Sequence, residues 1–455
     1  MRRHTHGAAM LVTPCLVGMS VVSLAGGVDK TQAQVTDLTC SRETPSQKTQ
    51  EELWISEVRY QDPKTQTYVS SPSLLRLPDG ALLATHDFFG PGAPLSHEGE
   101  EYLTAVYRSE DNGLTWQSLN CLSYTFWASL FEHRGSVYLL GTSAHDGHII
   151  IRRSDDGGYT WTTPTSDVSG LLFLAGPKRL SPNYHCAPVP VVMSRGRIWR
   201  AFEDSDQAPQ FPQMSFAEGF KALVISADED ADLLKAASWR MSEKLPFDQA
   251  NTPPGWGTYP GQAMGWLEGN VVEGPGGQLW NILRVNSRPV LNKAAMVRIL
   301  DEGRRLQFDP ATGFIDLPGG MSKFTIRRDR QTAIYWTISN EMRNGKRIDE
   351  LESGGAAVGI ADDVPDETRP VYRNRLALFS SPDLRNWTKR KTLMEHFEPN
   401  PAEALLTTGF QYVDWQFDGE DIIYLVRTSY DGAHSFHDSN RITFGRVENF
   451  RALSR

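Results

Sequence analysis

The chain has little cysteine, with Cys15, Cys40, Cys121 and Cys186 in 455 residues and no pair at the short spacing of a metal finger or redox motif. That excludes a disulfide-stapled mini-fold and a cysteine-ligated zinc centre. Basic residues are outnumbered, 46 Lys and Arg against 55 Asp and Glu, for a formal net charge of −9. Nothing therefore draws the chain electrostatically to nucleic acid or to an anionic lipid surface. Helical periodicity is nearly absent, which argues against a helical or α/β fold. Long apolar runs are missing except at the start.

At that start, Arg2 and Arg3 precede an apolar run from about Ala8 to Ala25, interrupted by Pro14 and Gly18 and followed by small residues. This is the pattern of a secretion signal, and Pro14 and Gly18 make it a poor membrane span. We expect residues 1–34 to be a signal peptide, 35–52 a flexible polar lead-in, and 53–455 a single domain. The mature protein is then secreted or periplasmic and free of the membrane. Losing Arg2, Arg3 and Lys30 with Asp29 removes three positive charges and one negative, moving −9 to −11. Of the three remaining cysteines two can pair and one is left over.

What the chain does contain is a repeat. Six hairpin patterns follow one another: "SLLRLPDGALLATH" (73–86), "ASLFEHRGSVYLLGT" (128–142), "APVPVVMSRGRIWRAFE" (187–203), "GNVVEGPGGQLWNILRV" (269–285), "KFTIRRDRQTAIYWTIS" (323–339) and "FQYVDWQFDGEDIIYLVR" (410–427). Each is two apolar stretches about a tight turn, and second hairpins follow most of them. Six four-stranded units predict an all-β fold, a six-bladed β-propeller. Two second hairpins carry the frame Ser-x-Asp-x-Gly-x-Thr-Trp, at Ser109–Trp116 and Ser154–Trp161. A shorter form holds Ser381, Asp383 and Trp387, and "SADEDADLLKAASW" (226–239) is looser. In such a frame the aspartate accepts hydrogen bonds from its own turn and glycine supplies a positive φ, so Asp111 and Asp156 read as structural.

The frame lies in the turn between strands 3 and 4, so chemistry is expected on the opposite face, where the loops joining strands 2 and 3 emerge. The longest of these are 86–102, 204–219 and 340–373. Counting eight residues to either side of Gly276 sets Glu268 opposite Arg284 at that face. The turn at Asp418-Gly419 brings Tyr412 and Arg427 to the same end, that at Asp79-Gly80 brings His86 and Asp87, and that at Arg195-Gly196 brings Tyr184, His185 and Glu203.

Across nearly the whole mature chain the sequence resembles the sialidase superfamily of Asp-box, or BNR-repeat, propellers. Glu268 before "VVE" and Arg284 ending the partner strand match one family pattern; Arg373, ten residues before Asp383, and Tyr412 in the last blade match two more. The resemblance implies a tyrosine nucleophile, Tyr412, activated by Glu268, with arginines clamping a substrate carboxylate. Such chemistry needs a base beside a phenol and a planar donor for a carboxylate. It also needs a proton donor for the leaving oxygen, for which Asp87 is the first candidate and Glu98 and Glu101 the next. Where the family has Arg-Ile-Pro this chain has Ser70-Ser71-Pro72, so a standard sialidase is not expected.

The leading expectation is an exported, exo-acting glycoside hydrolase that removes a terminal acidic or unusual sugar. A polysaccharide lyase is the alternative, with His86, Tyr184 and His185 moving protons and Arg200 or Arg284 neutralising a uronate carboxylate; a non-catalytic glycan-binding propeller is the third. No cofactor and no metal are expected, the acidic loop at Asp362, Asp363, Asp366 and Glu367 reading as solvated. The partner expected is a glycan.

Overall fold

The computed structural model describes residues 53–207, 214–258, 263–288, 290–341, 373–398 and 400–454. The proposed signal, the lead-in and the acidic loop at 359–370 lie outside the described residues.

All six hairpins form where the sequence places them, and each is the start of an antiparallel sheet. Blade 1 comprises Tyr68–Val69 with Ser73–Arg76, Leu82–Phe89, Leu103–Ser109 and Gln117–Ser123. Blade 2 comprises Phe126–His133, Ser136–Thr142, Ile149–Ser154 and Leu171–Phe173. Blade 3 is built on Tyr184–His185, Val192–Ser194, Arg197–Ser205 and Phe220–Asp228; blade 4 on Trp266–Glu273, Leu279–Val285 and Lys293–Leu300; blade 5 on Thr325–Arg328, Tyr335–Asn340, Arg375–Ser381 and Thr388–Glu395. Blade 6 has Gly409–Asp418, Asp421–Ser429 and Arg441–Val447, and its fourth strand is Ser56–Tyr60 from the other end of the chain. The result is a six-bladed β-propeller closed by pairing of its first and last strands.

The core explains the apolar pattern. Buried apolar residues gather in a layer at each of the six blade interfaces: Leu83 with Leu139, Leu140 with Ile198, Trp199 with Val271, Ile282 with Ile326, Trp336 with Trp415, and Phe444 with Leu74. Successive residues of one strand, such as Leu139 and Leu140 or Ile198 and Trp199, face opposite interfaces. Strands covered on both faces read as continuous apolar runs instead of alternating ones. Among the described residues, Cys121 is disulfide-bonded and Cys186 is the free, buried thiol.

The repeated turns are held as their residues require. Asp156 accepts from Thr160 N (2.9 Å), Thr160 Oγ1 (2.6 Å) and Ser154 Oγ (2.8 Å), and Asp111 repeats these bonds with Thr115 and Ser109. Trp116 packs on Phe444 of blade 6, and a Cβ added to Gly113 (φ 86°) would come within 2.3 Å of that phenyl ring. Because the bonds of Asp156 lie in an exposed turn, Asp156→Ala is expected to cost about 1 kcal/mol while leaving the turnover of the folded protein unchanged. Chemical denaturation alongside an activity assay checks this.

Candidate functional site

Two sets of positions converge at the loop face. The first lies on the innermost strands of alternate blades, where the ladder slips: between Phe126 and Ser129 in blade 2, Leu267 and Asn270 in blade 4, and Gln411 and Asp414 in blade 6. At each slip one residue takes a left-handed backbone: Trp127 (φ 46°), Glu268 (φ 51°) and Tyr412 (φ 52°). Bulges of this kind re-aim a side chain, and a non-glycine residue in this region costs roughly 1–3 kcal/mol.

Neighbouring groups offset that cost. Trp127 N donates to Asp87 Oδ2 (3.1 Å), and its carbonyl accepts from Arg200 Nη2 (2.7 Å). Gly269 N donates to Glu203 Oε1 (3.2 Å), and Asn270 Nδ2 to Glu268 O (3.3 Å). Val413 O accepts from Lys323 Nζ (2.7 Å) and Thr325 Oγ1 (3.0 Å). The second set lies near the loop-face ends of the second strands of blades 1, 3, 4 and 6 and comprises Asp87, Glu203, Arg284 and Arg427.

Tyr412, Glu268 and Arg284 meet directly. Tyr412 donates its phenol to Glu268 Oε1 at 2.9 Å; Arg284 Nη1 lies 3.1 Å from Glu268 Oε2 and 3.4 Å from the Tyr412 oxygen. The register is one residue from the expected one: Leu267, not Glu268, faces Arg284, and the bulge brings the Glu268 side chain back to the guanidinium. Burial works to raise the Glu268 pKa, but the Arg284 charge, His185 and the bonds from Arg284 and Tyr412 outweigh it. The carboxyl is held below its ordinary value and is ionised at neutral pH. Arg427 lies 5.0 Å and Arg373 5.7 Å from the Tyr412 ring centroid.

Burial, together with their mutual repulsion and that of Arg284 for Arg373, pushes Arg373 to about 10, and burial pushes Arg427 to about 10. Arg373 donates to Gln411, while its Nε and that of Arg284 are buried without a hydrogen-bond partner. Arg427 is tied to Ser439 Oγ and His437 O, and its Nη1 lies 3.5 Å from Ser70 Oγ. The arrangement is cationic around one tyrosine, with donors to spare.

Asp87 is buried in its strand, which runs on to Phe89 instead of ending at residue 86 as expected. Burial is the main cause of its raised pKa, about 7, against the pull of the Thr104 hydroxyl (2.5 Å), Trp127 N, Arg200 and Arg427. His185 Nδ1 lies 3.1 Å from Glu203 Oε2, and its ring contacts Trp127 at 4.3 Å. Burial, more than Glu268's charge, raises the Glu203 pKa, against the pull of His185 and Gly269 N.

Other candidates lie elsewhere. His86 is on the opposite strand face from Asp87: it stacks on Tyr107, with Nε2 3.1 Å from that hydroxyl, and burial lowers its pKa to about 3. Tyr184 is buried in the layer between blades 2 and 3, where burial raises its pKa to about 12. Arg200, fully buried, spends its donors on Leu140 O, Trp127 O, Ala187 O and Cys186 Sγ, not on any group of the cationic cluster. Glu98 is exposed, and Glu101 Oε1 lies 3.5 Å from Gly90 N; neither contacts the Tyr412–Glu268 pair.

Among the described residues one set of donors has metal-like spacing: Glu100, His145 and Asp146, within 4.8 Å of one another. Cations already occupy it. Lys178 Nζ is 2.6 Å from Glu100, Arg179 is 3.6 Å from Asp146, and the Asp146 bond with the nearby glutamates raises the His145 pKa despite burial.

No protein-family model matches the chain, and no curated protein does. Solved structures do. The Penicillium chrysogenum α-L-arabinanase complexed with arabinobiose superposes with a TM-score of 0.50 at 15% identity, over 87% of this chain and 98% of that one. A Fusarium graminearum α-L-arabinofuranosidase with an iminosugar inhibitor gives 0.51 at 14%, over 88% and 99%. The Trypanosoma rangeli sialidase in complex with sialic acid gives 0.52 at 14%, over 91% of this chain but 61% of that one. At such identities the likeness is one of fold, and it is a six-bladed β-propeller in each case.

Proposed function

We propose that the chain is an exported glycoside hydrolase that removes a terminal acidic sugar from a glycan. The observation that carries this is the Tyr412 phenol bonded to an ionised Glu268, which Arg284 holds in turn. In the first step Glu268 takes the phenol proton as Tyr412 attacks the anomeric carbon, and Asp87 gives its proton to the departing oxygen. In the second, Asp87 takes a proton from water, the water attacks the same carbon, and Tyr412 leaves and recovers its proton from Glu268. A neutral phenol suits a substrate whose carboxylate would repel an acidic nucleophile.

Arg284 and Arg373, with unpaired buried Nε groups, are the donors for that carboxylate. The blade 1 arginine that the sialidase resemblance leads one to expect is Ser70 here, and Arg427 from blade 6 reaches toward it. That shift of charge supports an acidic sugar other than the standard one. Of the three proton carriers named for elimination, His86 faces Tyr107 and Tyr184 lies in a blade interface, and only His185 stands beside this site.

The test is a panel of 4-methylumbelliferyl glycosides of 2-keto sugar acids, uronic acids and arabinofuranose, followed by acidic oligosaccharides. Release from a carboxylate-bearing member, with oxygen from labelled water in a saturated product, is expected. Cleavage of neutral members alone, or an ultraviolet-absorbing unsaturated product, overturns the reading.

A further inference from the structure

Lys323, a donor to the blade 6 bulge, takes no part in the mechanism proposed above. It is 2% exposed, two residues ahead of the inner strand of blade 5, and its Nζ donates to Val413 O at 2.7 Å and lies 2.8 Å from Thr325 Oγ1. Among the described residues it has no carboxylate within ion-pair distance. Thr325 Oγ1 donates to the same carbonyl, so an uncharged donor could share that oxygen as well as an ammonium does. A neutral side chain of similar shape would be cheaper to bury. What the ammonium adds is its charge.

That charge faces Asp414 and Glu268, which favour it, and Arg327 and Arg200, which oppose it; burial is the largest influence and brings the Lys323 pKa down to about 8. Asp414 is already engaged by Ser73, Leu74 N and Arg327. Val413 follows Tyr412 within the blade 6 bulge. One ammonium thus binds the backbone that turns the tyrosine and also stands in the field of the glutamate.

We propose that Lys323 is a positioning residue of the Tyr412–Glu268 pair, its ammonium pinning the bulge at Val413 and favouring the ionised form of Glu268. The inference rests on the reading of that pair as the reacting centre. Other groups acting on Glu268 are Arg284, His185, Tyr412, Glu203, Arg373 and Arg427, and all of them stay in place in the variants used.

The experiment labels the full-length protein with [δ-13C]glutamate and identifies the Glu268 resonance by its loss in Glu268→Gln. Titration then compares the wild type with Lys323→Gln, which keeps a donor for Val413 O, with Lys323→Met, and with Lys323→Arg, which keeps the charge. The Glu268 midpoint is expected to rise by about half to one pH unit in the Gln and Met proteins and to stay at the wild-type value in the Arg protein. The acid limb of hydrolysis should move upward with it, KM changing little. An unmoved midpoint in the folded Gln protein overturns the proposal and leaves Lys323 a packing residue. Should Met fail to fold, the Gln and Arg proteins still decide. Because the titration needs no substrate, it separates the two ideas: full activity in Glu268→Gln removes the pair's catalytic role, whatever the lysine does to Glu268.

Discussion

Tyr412→Phe is expected to lower turnover by roughly four orders of magnitude while leaving the thermal midpoint close to that of the parent. The ring remains to pack beneath Arg373 and Arg427, so the apolar and cation contacts survive. Only the oxygen that bonds the anomeric carbon is gone. Glu268→Gln should be nearly as damaging, since the amide cannot take the phenol proton, and the two losses should not add because the groups act as one unit. Substrate binding, measured by isothermal titration, should change much less than turnover. A phenylalanine variant that keeps a tenth of the parental rate would remove Tyr412 from the chemistry.

The second large effect concerns Asp87. A proton donor must be protonated before the bond breaks, and burial holds this carboxyl at about 7. The sign follows: hydrolysis should be supported below pH 7 and decline tenfold per unit above it, as the proton is lost before it can be delivered. Asp87→Asn should erase that alkaline limb and lower turnover of sugars with alkoxide leaving groups by about 10²–10⁴-fold. Aryl glycosides, whose leaving oxygen needs little help, should be spared most of the loss. A rate independent of pH between 6 and 8, or equal losses on both substrate types, would transfer the role to another group, and Glu203, bonded to His185 beside the site, is a buried carboxyl with a raised pKa.

Much of this was legible in the sequence because blade interfaces are made by strands, and strands buried on both faces write themselves as apolar runs about tight turns. The six hairpins and the direction of the blades follow from that, and so does the nearness of Glu268 to Arg284, though one residue out of register. The bulges do not. A left-handed residue is normally signalled by glycine, whereas here the positions are Trp127, Glu268 and Tyr412, held by partners from neighbouring blades that no local pattern announces.

Arg200 shows the same limit. The lyase alternative gave it a uronate carboxylate, but its donors go to the Trp127 carbonyl of the bulge beside Asp87 and to the Leu140 and Ala187 carbonyls. His86 was lost to strand parity: neighbours along a strand point to opposite faces, so His86 and Asp87 could not both reach one site. Lys323 was not legible at all: in "SKFTIRR" it stands with two further basic residues, and nothing local marks it as buried or names its partner.

The strand Ser56–Tyr60 completes the sheet that carries Tyr412. During synthesis that strand is made first and must wait, with an open edge, until Arg441–Val447 follows nearly the whole chain later. The entropy of joining such distant segments grows only as the logarithm of the separation, but pairings of this range form slowly. Asp87 belongs to the first sheet and Tyr412 to the last, so the proposed proton donor and nucleophile come together only when the circle is shut. An unfinished molecule is therefore chemically silent, and the onset of hydrolysis during refolding would serve as a clock for the final docking event.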